Sequence, residues 1–145
     1  MIKRCLFICT GNYYRSRYAE AVFNFKAQEI GLEWQAFSRG LAIHLVQGDL
    51  SPQTQKMMEE KQIPRAATGE TRVQIKEVDF HGAEKVIALQ HHEHYPMMQR
   101  QFANWADKID YWDVADIEFV SPQFALKRIE QLAEELIAQL SAPGK

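Results

Sequence analysis

The segment that most restricts the fold of this chain lies near its start. Lys3-Arg4-Cys5-Leu6-Phe7-Ile8 is a short apolar run, and it passes without a break into Cys9-Thr10-Gly11-Asn12-Tyr13-Tyr14-Arg15-Ser16, where a helical pattern begins. A strand that turns directly into a helix leaves a loop whose backbone N–H groups can gather around one tetrahedral oxyanion. The positive end of the helix favours the same charge. Cys9 would sit in that field, which draws a thiol from roughly 8.5 toward 3.5–7.5 and leaves a nucleophilic thiolate at neutral pH. Arg15, six residues on, carries a planar fork that can hold two oxygens of a phosphoryl group. Gly11-Asn12 supplies residues that tolerate tight or left-handed backbone, and Ser16 opens the amphipathic segment.

The remaining chain alternates strands and helices. Residues 2–9 read as a first strand, and 16–30 as a helix with Ala19, Val22, Phe23 and Ile30 as its apolar positions, stopped at Gly31. Residues 34–38 form a second strand, 40–48 a loop, and Ser51-Pro52 starts a helix that runs through Lys61. Residues 63–71 are irregular, 76–80 a helical turn, and 85–89 a compact apolar strand of the kind found inside parallel sheets. Residues 91–102 look helical, 108–111 make a last strand, and Ser121-Pro122 caps a long final helix. Its apolar stripe is Phe124, Ile129, Leu132, Leu136 and Leu140, followed by the tail Ala142-Pro143-Gly144-Lys145. This alternation predicts an α/β three-layer sandwich over 1–145, one domain, with a parallel sheet and helices on both faces. Ligands bind such sheets at the carboxyl ends of the strands, which is where Cys9 falls.

The formal charge of −2 offers no broad basic field and excludes a nucleic-acid or anionic-membrane role. The apolar run after Met1-Ile2-Lys3-Arg4 is too short for a secretory core or a spanning helix, and two cysteines suit a reducing compartment, so a cytoplasmic protein is expected. Cys5 reads as a buried strand residue, about 13 Å from Cys9 in an extended chain and too far for a bridge.

The arrangement Cys9-x-Gly11-Asn12-x-x-Arg15-Ser16, followed by Ala19-Glu20 in the helix, resembles the low-molecular-weight protein tyrosine phosphatase family and its relatives, the thioredoxin-coupled arsenate reductases. The resemblance covers nearly the whole chain. It implies a four-stranded parallel sheet of order 2-1-3-4 and a phosphomonoester hydrolase, a protein tyrosine phosphatase working through a phosphocysteine with no metal or cofactor. Its substrate would be a phosphotyrosine-containing protein or a small aryl phosphate. Cys9, Arg15 and an aspartate would be catalytic. Thr10, Gly11, Asn12, Tyr13, Tyr14 and Ser16 would bind substrate, with Ser16 donating to the thiolate and Asn12 bracing the loop. By its place between Trp112 and the final helix, Asp116 matches the family's acid, with Asp113 and Asp110 as alternatives. The proline that follows that acid in the family is Ile117 here.

Three further departures stand out. Tyr14 occupies the place where many members carry a second, protective cysteine, which leaves Cys9 easier to over-oxidise. Arg17 replaces a proline and is either a second cation at the mouth or a solvated residue. Phe119 stands in for one of an aromatic pair, so Tyr13, His44, Trp112 and Phe119 are the candidate walls for an aromatic ring. His91, His92 and His94 sit in one short run, but adjacent histidines face different sides of a helix, and metal binding is not expected. Two other readings share the loop: arsenate reduction, which lacks a downstream cysteine for a thioredoxin-type relay, and phosphate binding without turnover.

Overall fold

The computed structural model describes residues 1–142. Four strands, β1 (Lys3–Cys9), β2 (Trp34–Gly40), β3 (Lys85–Ala88) and β4 (Asp110–Tyr111), form one sheet of order β2-β1-β3-β4 in which every pairing is parallel. Of the helices, α1 (Arg15–Glu29), α2 (Pro52–Glu60) and α6 (Pro122–Ser141) lie against one face. The other face carries α3 (Glu77–His81), α4 (His91–Gln101) and α5 (Ala103–Ala106). The expected three-layer architecture and strand order are therefore present.

The alternation along β1 explains the layers. Cys5, Phe7 and Cys9 point into the cluster with Val22, Phe23, Ile129 and Leu136, whereas Leu6 and Ile8 point into the cluster with Phe80, Met98 and Ile109. A central parallel strand is covered on both sides, which is why its sequence is a continuous apolar run. Each large side chain so buried stabilises the fold by about 1.5–3 kcal/mol relative to exposure. Burial also pushes the Cys5 thiol up to about 12, so it is an inert packing group, and both cysteines are free.

Helix α1 is buried from Arg15 through Phe23, so no single apolar stripe marks it. Its end follows the reading at Gly31, whose φ of 66° lets the chain reverse. There Gly31 N–H donates to Gln28 O and Leu32 N–H to Ala27 O, satisfying carbonyls that the helix leaves free. Ser51 and Ser121 cap α2 and α6 as expected, each accepting from the backbone N–H three residues on.

Some expectations need correction. Phe124 is 65% exposed and does not join the core stripe of α6, whose buried residues are Ala125, Leu126, Ile129, Ala133, Leu136 and Ile137. Short 3₁₀ turns occur at Ile43–Leu45 and Arg65–Ala67 in segments read as irregular, and α5 follows α4 where no element was expected. β4 is only two residues long. Residues 143–145 of the expected tail lie outside the described residues.

Candidate active site

The loop 9–16 links β1 to α1 at the carboxyl edge of the sheet. Asn12 holds the left-handed backbone that turns it, with φ 51°. Among the described residues the N–H groups of Gly11, Asn12, Tyr13 and Tyr14 donate to no carbonyl or side chain, and no side chain caps α1. The loop is thus a row of unpaired donors continuous with a helix N-terminus. It is held from behind instead, through carbonyls: Leu41 N–H donates to Cys9 O, Ala42 N–H to Thr10 O, and Ser51 N–H to Tyr13 O. Gly40, at the end of β2, allows this approach. A Cβ there would lie 2.9 Å from both Asn12 N and Thr10 O.

A directed chain of hydrogen bonds ends at the sulfur of Cys9. Val73 N–H donates to Asn12 Oδ1 at 2.8 Å, which leaves the Asn12 amide nitrogen to donate to Ser16 Oγ and Ser38 Oγ, both at 2.9 Å. Ser38 in turn donates to Glu20 Oε1 at 2.6 Å, as does Thr68 at 2.8 Å. Ser16 Oγ accepts from Asn12 and lies 2.9 Å from Cys9 Sγ, where it accepts from the thiol and, once the sulfur is a thiolate, can donate its own proton to it. Asn12 and Ser16, read as brace and thiolate partner, meet in one network.

Arg15 is 2% exposed and is fixed from the opposite layer. Its Nη1 donates to Glu93 Oε1 at 2.9 Å and to Val114 O at 2.9 Å, and its Nη2 donates to Glu93 Oε2 at 2.8 Å. Glu93 comes from the first turn of α4 and also accepts from the Thr10 hydroxyl at 2.5 Å. His94 is buried; Gln90 N–H donates to its Nδ1 at 3.0 Å, which places its proton on Nε2, 3.2 Å from Glu93 Oε2. Burial, reinforced by the Arg15 charge, moves His94 below its ordinary value, in keeping with the neutral tautomer. Burial alone would raise Glu93, but the bonds from His94 and Arg15 outweigh it and hold the carboxyl well below the usual range. Glu93 and His94 were not anticipated as site residues. Their one signal was position, directly after β3 at the same sheet edge as Cys9.

The three aspartates separate cleanly. Asp116 lines the cleft with Cys9, Thr10, Gly11, Tyr13, Tyr14 and Arg15, and its Oδ2 lies 3.8 Å from Arg15 Nη2. Its other oxygen accepts from Ile117 N–H at 2.8 Å. Asp113 accepts from Gln90 Nε2 and borders a different cleft, and Asp110 pairs with Lys85 at 2.7 Å on the sheet edge.

The shared cleft, about 400 Å³, is walled by Tyr13, Leu45, Val46 and Ile117, with Ser51, Gln53 and Glu118 completing it. Of the aromatic candidates only Tyr13 lines it. Trp112 turns inward and packs on Phe7 at 5.3 Å between ring centroids, and Phe119 stands exposed. Arg17 is neither a cation at the mouth nor solvated. It is fully buried, donating to Thr68 Oγ1 at 2.8 Å, to Asp49 O at 2.9 Å and to Gly69 O. The Tyr14 hydroxyl is buried with no partner among the described residues, and burial, then the Asp116 charge, pushes it up to about 12. Among those residues no group of three or more His, Cys, Asp or Glu is placed to hold a metal ion.

A strand-end cysteine facing unpaired loop amides and a buried arginine is the arrangement that hydrolyses phosphomonoesters through a cysteine, and the sequence agrees. The chain belongs to the low molecular weight phosphotyrosine protein phosphatase family, whose model matches residues 4–143. It is a cysteine-dependent phosphatase of that class. It is 29% identical to the protein-arginine-phosphatase of Bacillus subtilis (strain 168), over 94% of this chain and 93% of that one. The low molecular weight protein tyrosine phosphatase of T. tengcongensis superposes with a TM-score of 0.79 at 26% identity, covering 94% of this chain and 99% of that one. The YwlE arginine phosphatase of Geobacillus stearothermophilus gives 0.77 at 26% identity, with 95% and 92% covered.

Proposed function

We propose that the chain removes phosphate from phosphotyrosine in proteins, with Cys9 as nucleophile, Arg15 as the phosphate clamp and Asp116 as the proton donor. The observation that carries this reading is convergence: Cys9, the unpaired N–H groups of the loop, Arg15 and Asp116 all meet one cleft. In the first step the Cys9 sulfur forms a bond to phosphorus while the ester P–O bond breaks, and Asp116 gives its proton to the departing phenoxide. Loop amides and Arg15 hold the equatorial oxygens as charge spreads over them. In the second step Asp116 takes a proton from water, the water oxygen bonds to phosphorus, and the S–P bond breaks. Ser16 then donates to the returning thiolate, and inorganic phosphate leaves. Thr10, Gly11, Asn12, Tyr13 and Tyr14 contribute the cradle, and no metal or cofactor takes part. Tyr13, Leu45, Val46 and Ile117 offer apolar surface for a phenyl ring.

A second reading, phosphoarginine, is favoured by Asp116 and Glu118 at the cleft, which could pair with a guanidinium, and by the arginine phosphatase relatives. Residues 1–145 act as one phosphatase unit in this account, in the cytoplasm, where free Cys5 and Cys9 stay reduced; among the described residues no helix is long and apolar enough to cross a membrane. The deciding experiment compares a phosphotyrosine peptide with a phosphoarginine peptide for wild type, Cys9→Ser and Asp116→Asn. Preference for the first peptide, silence of Cys9→Ser, and an Asp116→Asn turnover reduced by about 10²–10³-fold with alkylation of Cys9 retained support the proposal. An Asp116→Asn variant as fast as wild type removes that residue from the mechanism.

A further inference from the structure

Arg15 has five N–H donors in a rigid plane. Glu93 takes two and the Val114 carbonyl takes one, and all three lie on Nη1 and the outward side of Nη2. What remains is Nε–H and the second Nη2–H, which share one edge of the guanidinium. Among the described residues Nε donates to nothing, and the one carboxylate besides Glu93 that pairs with Nη2 is that of Asp116, at 3.8 Å. Two parallel donors on one edge match two oxygens of a phosphoryl group.

We infer that Glu93 is a positioning residue that clamps the far edge of Arg15, so that the guanidinium can present only its Nε–Nη2 edge to the oxyanion in the loop. The inference rests on the phosphate reading of the cleft. Glu93 itself is held on every side. Its carboxylate offers about four acceptor sites; Arg15 fills two and the Thr10 hydroxyl a third, while His94 Nε2 lies 3.2 Å from both Glu93 Oε2 and the Thr10 hydroxyl. Thr10 belongs to the phosphate loop and His94 to the core of the opposite layer, so Glu93 ties the arginine to both. A buried guanidinium without a counter-charge would be costly, and an arginine without the clamp could turn about its long side chain. The carboxylate solves both problems, at the expense of some repulsion toward a bound dianion on the other edge.

The test uses tungstate as an inert oxyanion and reads its protection of Cys9 from iodoacetamide, alongside hydrolysis of an aryl phosphate. In Glu93→Gln the amide nitrogen faces a guanidinium N–H, so the edge-on pair is lost, and tungstate affinity falls by about tenfold to a hundredfold with kcat reduced more than KM is raised. Glu93→Asp keeps the charge but is one methylene short, and falls between the two. Arg15→Lys cannot offer an edge, so in that background Glu93→Gln costs little more, a coupling that a purely structural residue would not show. Tungstate binding by Glu93→Gln within about twofold of wild type, or losses that simply add in the double variant, overturn the inference. Should Glu93→Gln fail to fold, the same comparison is made with Glu93→Asp. Failure of wild type to bind tungstate at all would instead remove the phosphate reading on which it rests.

Discussion

Replacing Arg17 by alanine measures how firmly the phosphate loop is held from outside. Arg17 donates to Thr68 Oγ1, Asp49 O and Gly69 O from a fully buried position. With the long 3.4 Å bond from Arg17 Nη1 to Asn12 O in the loop set aside, the three charge-assisted bonds at about 1–3 kcal/mol each set the upper range. The figure is discounted, because Arg65 also donates to Gly69 O at 2.9 Å and Asp49 is exposed and can recruit water. About 3 kcal/mol remains, which for a chain of this size lowers Tm by roughly 6–12 °C. Glu20, which the Arg17 charge helps to keep ionised against burial, is then left with less compensation. Adding Glu20→Gln to Arg17→Ala should therefore recover about 1 kcal/mol. Urea melts of the single and double variants read both quantities. A loss below about 1 kcal/mol for Arg17→Ala would falsify the idea that this residue fastens the 49–51 and 68–69 segments to the loop.

Three other variants probe separate features. Gly40→Ala puts a Cβ 2.9 Å from Asn12 N and Thr10 O, so the loop must shift: stability falls by about 1–3 kcal/mol and inhibition by inorganic phosphate weakens, both readable in melts and steady-state kinetics. Tyr14→Phe removes a buried hydroxyl that has no partner among the described residues, and its Tm should rise, corresponding to about 1 kcal/mol; a lower Tm would mean the hydroxyl is bonded. Burial above all holds His94 below an ordinary histidine, so the unfolded chain protonates first as pH falls. Stability is then lost on acidification from about pH 6.5 downward, whereas the Glu93 contribution begins to be lost only near pH 4.5, where the unfolded carboxyl starts to protonate, and goes on falling below that. His94→Asn should flatten the slope of stability between pH 5 and 7, and an unchanged slope in that variant would assign it to other groups.

The strand, the loop and the first helix were legible because their signals are local. An apolar run, a Gly-Asn turn and a capped helix end each depend on neighbours within a few residues. That Asp116 rather than its neighbours lines the cleft was suggested only by the family resemblance, since nothing local distinguishes it from Asp113; in the structure Gln90 and Lys85 occupy Asp113 and Asp110. Glu93 was illegible for a plainer reason. It lies 78 residues from Arg15, and a charged residue in the first turn of a surface helix ordinarily means only a favourable helix dipole. Phe124 misled because its spacing suits the stripe of α6, yet the first turn of that helix faces solvent and the core is filled by Ala125 and Leu126. Arg17 misled in the opposite sense. Its charge suggested the mouth of the cleft, while three acceptors from distant segments supply the interior partners that make its burial tolerable.

The shortness of β4 divides the site in time. Cys9 ends a seven-residue strand paired on both sides, whereas the segment bearing Asp116 follows two paired residues and is tied as far as Val114 by the bonds of Trp112 N–H to Ala88 O, Val114 N–H to Leu89 O and His91 N–H to Trp112 O, by the Gln90–Asp113 pair, and by Arg15 Nη1 on Val114 O. Past Val114 the backbone bonds are local, Phe119 and Val120 N–H to Asp116 O, so the amides of 115–118 should exchange with solvent at a lower free-energy cost than those of β1. On the proposed mechanism this would keep the nucleophile in register while the acid's segment is the part free to move. Proton delivery by Asp116, if it is the donor as proposed, would then be the step that a local fluctuation paces, independently of the global unfolding needed to displace the sulfur.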